Sequence, residues 1–182
     1  MKITETGFQG LLIFEPVVFE DNRGYFMESF NKEILRKAGI AFEPVQDNES
    51  SSVKGVIRGL HYQLRPFEQA KLIRVIEGKI LDVVLDLRRT SKTYGKWFSA
   101  ELSAESRKQL FIPRGFAHGF SVLSKTAVIQ YKCDNYYKPA FERGIALNDP
   151  SLGIDWKTDM SKAIISEKDS KSPYFRDAEN NF

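Results

Sequence analysis

The sequence contains one cysteine, Cys133, and only two histidines, His61 and His118, in 182 residues. A lone cysteine excludes a disulfide framework within the chain and leaves a thiolate metal site without ligands. It agrees with a reducing compartment. The sequence has no apolar run approaching the roughly 18 residues of a membrane span, so no membrane partner is expected. The first residues, Met1-Lys2-Ile3-Thr4-Glu5-Thr6, turn polar too soon for a secretory signal, and a cytoplasmic protein is the expectation. Net charge is also small, at +3, and Lys and Arg form no blocks. Bulk binding of nucleic acid is therefore not expected, although an anionic ligand is permitted. Helical patterns alternating with strands are missing as well, which argues against a dinucleotide-binding α/β fold.

What the chain does have is aromatic residues, 14 Phe and 7 Tyr, and many short strand-like segments. Leu11 to Phe19 reads as a strand broken at Pro16. Asp21-Asn22-Arg23-Gly24 is a turn, and Tyr25 to Phe30 returns as a hairpin. Asn31 then caps a helix of about two turns that carries Ile34, Leu35 and Ala38 on one stripe and stops at Gly39. Phe42 to Asn48 is extended, and Glu49 to Lys54 reads as a polar loop. The segments 69–77 and 79–88 flank Gly78 as a tight hairpin. Further strands are expected at 95–102, 109–112, 118–124, 127–134 and 143–147, and the tail from Arg176 is expected to fray. Short strands at this spacing, with Gly and Pro at the turns, indicate an all-β sandwich or barrel.

Candidate chemistry gathers around two segments, Val56 to Gln63 with His61 and Ile112 to Phe120 with His118. Arg58, Gln63 and Lys71 add polar groups to otherwise apolar strands, which suggests a polar pocket, because such groups are costly to bury alone. In Ile80 to Leu87, alternation puts Asp82, Val84 and Asp86 on one face. That face is either solvated or aims a carboxylate at a histidine or lysine inside the barrel. Ile129, Tyr131 and Cys133 share a face, and a buried phenol needs a partner or a substrate. Two histidines with carboxylates could form an iron site, but there is no third histidine and no His-x-His pair, so no metal is expected. The remaining inventory suits removal of a proton beside a carbonyl: an imidazole to take it, a cation to hold the enolate oxygen, and a second group to return a proton. Simple alternation sets Arg58 and His61 on opposite faces, so they reach one ligand only if Gly59 permits a bulge or Arg58 lies along the rim.

The segments DNRGYFMESF, VIRGLHYQ, QAKLIRVIEGKILDVVLDLR, SKTYGKWFSAELS, QLFIPRGFAHGFSVLS, YKCDNYYKP and SEKD span nearly the whole chain in order. In these segments the chain resembles the dTDP-4-dehydrorhamnose 3,5-epimerase family. The resemblance implies a cupin-type double-stranded β-helix, or jelly-roll barrel, with a few short helices. It would form a single domain over 1–182, with its core at about 42–147 and the N-terminal hairpin and C-terminal segment packed on it. It implies that His61 is the general base at C3 and C5 of a dTDP-4-keto-6-deoxyhexose. Asp169 would fix the tautomer of His61, Lys71 would stabilise the enolate oxygen, and Tyr131 would donate a proton from the opposite face. The implied substrate contacts are Arg23, Glu28, Gln46, Asn48, Arg58, His118, Glu142 and Lys168, with Asp82 supporting a histidine. Phe19, Phe26 or Tyr137 would stack on the thymine. No cofactor is implied, and the partner is a second copy in a homodimer that exchanges an N-terminal strand. Two alternatives stay open: an enzyme acting at one centre or isomerising the keto group of a related sugar, and a non-catalytic sugar-nucleotide binding protein.

Overall fold

The computed structural model describes all 182 residues. Thirteen strands run β1 (Lys2–Glu5), β2 (Leu12–Glu15), β3 (Val18–Asp21), β4 (Gly24–Met27), β5 (Gln46–Val53), β6 (Ile57–Gln63), β7 (Lys71–Glu77), β8 (Lys79–Asp86), β9 (Trp97–Ser103), β10 (Gln109–Ile112), β11 (Phe116–Val122), β12 (Thr126–Cys133) and β13 (Glu142–Gly144). Two short helices, α1 (Lys32–Lys37) and α2 (Glu167–Ser170), complete the regular structure together with two single turns of 3-10 helix. The strands build a six-stranded sheet, β1-β2-β10-β7-β12-β5, a five-stranded sheet, β13-β6-β11-β8-β9, and a separate ribbon, β3-β4. Every pairing within them is antiparallel. The two large sheets face each other as a cupin-type β-sandwich. Two peptide bonds are cis, Gly59–Leu60 and Arg65–Pro66.

Alternation along the strands explains three apolar layers. Ile73, Val75, Ile80, Val84, Leu110, Phe116, Phe120 and Ile129 interdigitate between the sheets. The opposite face of β8 presents Leu81, Val83 and Leu85, followed by Leu87 just past its end, to a second layer, closed by Ile145, Leu147 and Trp156 from the C-terminal segment. The five-stranded sheet is thus apolar on both sides, and β8 is buried from Ile80 to Asp86. Trp156 is inserted into this layer and donates its indole N–H to the Leu147 carbonyl at 2.8 Å. The third layer lies outside the six-stranded sheet, where α1 lays Leu35 beside Phe14, Phe42, Leu72 and Phe111. Asn31 caps that helix as its residue type dictates, its Oδ1 accepting from the amides of Glu33 and Ile34 at 3.0 and 3.3 Å.

Four local expectations change. The serine-rich stretch 49–54 is not a loop, because Gln46 to Val53 form β5, paired residue for residue with β12. It is an edge strand whose less exposed face carries Gln46, Asn48, Ser50 and Ser52, so both faces are polar and the usual apolar alternation is missing. Gly78 does not close a hairpin, because β7 and β8 belong to different sheets, and it turns the corner between them. A Cβ there would meet the Thr126 carbonyl oxygen at 2.0 Å, so only glycine fits. The strands before residue 42 are not all appended to the core, since β1 and β2 extend the larger sheet through β10. The tail does not fray: the Tyr62 hydroxyl donates to the Glu179 carbonyl at 2.5 Å, and the Asn180 amide donates to the Leu87 carbonyl at 2.7 Å.

Candidate active site

A cleft opens between the two sheets. One lobe, of about 490 Å³, is lined by Arg58, His61, Lys71, His118, Tyr131, Lys168 and Asp169, among others. A second lobe, of about 280 Å³, shares His61, Lys71 and Tyr131 with the first and adds Gln46, Asn48, Gln63, Gln69, Tyr137 and Glu142. Together they have the size of a small-ligand site. His61 reaches the cleft from β6 in the five-stranded sheet, whereas Lys71 (β7) and Tyr131 (β12) reach it from the six-stranded sheet.

Arg58 and His61 share this lobe because β6 carries a bulge. His118 pairs with His61 and Phe120 pairs with Arg58, so Gly59 and Leu60 together oppose Gly119 alone. The extra residue cancels the alternation that would have sent the two side chains to opposite faces. Gly59 has φ +124°, in the region only glycine enters readily, as the bulge reading expects.

The His61 ring lies against Asp169, with Nε2 to Oδ1 at 2.8 Å, and the Gly59 N–H donates to the other oxygen, Oδ2, at 3.2 Å. Asp169 stands on α2, whose cap is the Ser166 hydroxyl, accepting from the Asp169 N–H at 3.1 Å. Burial alone would raise the Asp169 carboxyl. The His61 bond and charge, the Gly59 amide and Ser166 outweigh it and hold the group below the usual carboxylate range. An ionised carboxylate only accepts, so the neutral His61 ring must carry its proton on Nε2 and keep its lone pair on Nδ1.

Across the cleft two polar groups are unspent. Neither the Lys71 ammonium nor the Tyr131 hydroxyl is hydrogen-bonded within the chain, and Lys71 Nζ stands 5.9 Å from the centre of the Tyr131 ring. Burial pulls the Lys71 pKa down, opposed by the charges of Cys133, Glu142 and Asp82. Burial pushes the Tyr131 phenol up, so it is held protonated as a donor. Beside His61, His118 bonds Asp82 at 2.9 Å. Asp82 is fully buried, and its second oxygen has no partner. The choice left open for the face carrying Asp82 falls to the inward carboxylate. Asp86, on the same strand, lies elsewhere and is consumed by Arg88, Ser91 and Thr93.

The floor of the second lobe is a polar chain. Gln46 donates to Asn48 at 3.0 Å and accepts from the Tyr137 N–H at 2.9 Å. Asn48 lies 3.8 Å from the buried Cys133 sulfur. Glu142 accepts from the Tyr137 hydroxyl at 2.6 Å and pairs with Lys168. Burial opposes its ionisation, but Lys168, Tyr137 and the His61 charge bring its carboxyl below the ordinary range. Against Glu142, the Tyr137 phenol is pushed up to about 12. Arg58 is held in place by Ser52, with Nε to Oγ at 3.1 Å.

Four of the sequence-expected residues do not join their own chain's cleft. Phe19, Arg23 and Phe26 line the β3-β4 ribbon, which pairs only with itself, and Glu28 follows it. Phe19 and Phe26 are 63% and 66% exposed, an unusual state for adjacent large aromatics. Arg23 is folded back on Asp21, and Glu28 accepts from Asn31 at 3.0 Å. Conversely, the wall residues Ser50, Ile164 and Ile165 had no motif to mark them. Ser50 sits on the strand read as a loop, and Ile164 joins the sandwich through one isolated bridge to Val56. No three His, Cys, Asp or Glu side chains are grouped so as to hold a metal ion.

The chain is similar to known proteins over nearly its whole length. A sequence model of the dTDP-4-dehydrorhamnose 3,5-epimerase family matches residues 5–177. A dTDP-4-dehydrorhamnose 3,5-epimerase of Shigella flexneri is 49% identical over 98% of both chains. The crystal structure of the dTDP-4-dehydrorhamnose 3,5-epimerase from Elizabethkingia anophelis superposes with a TM-score of 0.94 at 48% identity, covering 100% of this chain and 99% of that one. A dTDP-6-deoxy-D-glucose-3,5-epimerase from Legionella pneumophila, in complex with dTDP-4-keto-L-rhamnose, superposes with a TM-score of 0.92 at 43% identity, covering 96% and 93%. The chain belongs to the dTDP-4-dehydrorhamnose 3,5-epimerase family.

Proposed function

We propose that this cleft epimerises C3 and C5 of dTDP-4-dehydro-6-deoxy-D-glucose to give dTDP-4-dehydro-L-rhamnose by general acid–base catalysis. One observation carries the reading. A histidine on one sheet, paired with an aspartate from α2, faces an unbonded lysine and an unbonded phenol on the other sheet.

Each inversion is one proton out and one proton in. His61 Nδ1 removes the hydrogen on the carbon beside the C4 ketone, and the C–H electron pair moves into a C3–C4 or C4–C5 double bond as charge builds on the C4 oxygen. Asp169 stabilises the imidazolium that forms. Lys71 holds the enolate oxygen, where a desolvated cation acts more strongly than it would in water. Tyr131 gives its proton to the other face of the same carbon, and the carbonyl re-forms. His61 is then one proton richer and Tyr131 one poorer, and exchange with solvent resets both. No redox step is needed.

Arg58 faces the diphosphate, for which a guanidinium fork is suited. His118, Gln46, Asn48, Glu142 and Lys168 orient the sugar nucleotide, with Tyr137 against the thymine. Asp82 fixes the His118 ring. In this reading the protein is a homodimer in which each ribbon crosses to the other subunit, bringing Arg23, Glu28, Phe19 and Phe26 to the neighbour's cleft. The exposed aromatic ribbon and the unpaired edge of β5 support that arrangement. A cytoplasmic location belongs to the same reading.

The test is solvent deuterium exchange on the dTDP-4-keto sugar. Label should enter at both C3 and C5 and be lost in His61→Ala. Label at C3 alone would favour a single-centre enzyme, and tight binding with no exchange at either carbon would overturn the catalytic reading.

A further inference from the structure

Gly59 on β6 and Gly119 on β11 meet back to back beneath the cleft. A Cβ on Gly59 would stand 2.5 Å from Gly119 Cα and 2.8 Å from the His118 carbonyl oxygen. Gly119 has no positive φ to explain it. Yet a Cβ there would stand 2.6 Å from the Arg58 carbonyl oxygen and 3.2 Å from Gly59 Cα. The obstacles are backbone, which cannot rotate aside as a side chain does. Gly119 is therefore demanded by the neighbouring strand rather than by its own.

The close approach seats the β6 bulge. The Gly59 N–H reaches one oxygen of Asp169 and the His61 ring reaches the other, at 3.2 and 2.8 Å. One carboxylate thus ties the bulge to the imidazole two residues on. We infer that Gly119 is a positioning residue for proton abstraction: the absence of its side chain lets the bulge place the Gly59 amide and the His61 ring on the same carboxylate. The reaction named here rests on the epimerase reading, whereas the clamp itself rests on geometry alone.

The test compares Gly119→Ala with Gly95→Ala, which disturbs a turn packed on Phe175 away from the cleft. Both are assayed for kcat and KM in solvent exchange and for the ¹⁵N signals of the His61 ring. Gly119→Ala is expected to lose about 100-fold in kcat with little change in KM, the scale of a misplacement near 1 Å, and to shift the His61 ring nitrogens. Gly95→Ala should leave both unchanged. A folded Gly119→Ala protein with wild-type kcat and an unmoved His61 spectrum would overturn the inference. If Gly119→Ala does not fold, the Gly59 amide proton decides. It should move upfield when Asp169→Ala removes its acceptor, and an unmoved resonance overturns the clamp. An absence of exchange in the wild-type enzyme would instead defeat the epimerase reading, and the amide measurement would still judge the clamp.

Discussion

Replacing Asp169 by asparagine changes one oxygen into an NH₂ and leaves the shape intact, yet the surroundings dictate a specific failure. The side chain of residue 169 faces two groups, the Gly59 N–H at 3.2 Å and His61 Nε2 at 2.8 Å. The amide N–H of Gly59 can only donate, so the asparagine must turn its carbonyl oxygen there. Its NH₂ then points at His61 and donates to Nε2, which forces the ring proton onto Nδ1. The lone pair that would take the substrate proton is lost, and so is the charge that stabilises the imidazolium. Amide-for-carboxylate exchange in a histidine–aspartate pair costs on the order of 10⁴-fold in kcat, or about 5 kcal/mol of transition-state stabilisation. KM should move far less, because the pocket keeps its shape. The assay is the kcat for deuterium incorporation at C3 and C5, with the His61 ¹⁵N spectrum reporting the tautomer. An Asp169→Asn enzyme that keeps its kcat to within about tenfold, with Nε2 still protonated, would refute the reasoning.

Three other outcomes are expected. Burial pushes Asp86 up, but Arg88, Ser91 and Thr93 pull its carboxyl below the usual 3.8, so its stabilisation is full above that value and fades as pH falls through the lower folded value. Asp86→Asn should accordingly cost about 3–5 kcal/mol at pH 7 by denaturant titration, with the gap from wild type closing under acid. Trp156→Ala should cost about 3–5 kcal/mol in the same assay, from the cavity it leaves under the five-stranded sheet. Mixing two inactive variants, His61→Ala and Arg23→Ala, should restore activity after subunit exchange, because one site of the mixed dimer receives both wild-type residues. Mixtures that stay inactive would count against an exchanged ribbon.

Much of the site could be read from residue types alone. His61, Lys71 and Tyr131 are polar groups on apolar strands, and such groups need a pocket; the cleft contains all three. For Arg58 and His61, set on opposite faces by simple alternation, a bulge at Gly59 was one of two routes to one ligand, beside Arg58 along the rim, and the strand takes the bulge. The partner of His61 is another matter. Asp169 lies 108 residues away on a one-turn helix, and neither spacing nor periodicity links it to β6; only the family resemblance did. The strand β5 was hidden because its inward Gln46, Asn48 and Ser50 line the polar cleft, which leaves no apolar alternation to read. Gly78 misled for a different reason: a glycine between two strands marks a turn equally well whether the strands pair or part into separate sheets. Which cleft the ribbon serves is a property of assembly, which one chain's pattern leaves unwritten.

The central claim is that the base and the acid work from opposite walls, and Tyr131→Phe in deuterated solvent tests it most directly. With the phenol gone, His61 should still lift and return protons on its own face. Deuterium would then enter the starting sugar at C3 and C5 without inversion, while the inverted product falls away. Inverted, labelled product formed by Tyr131→Phe at the wild-type rate would contradict the account.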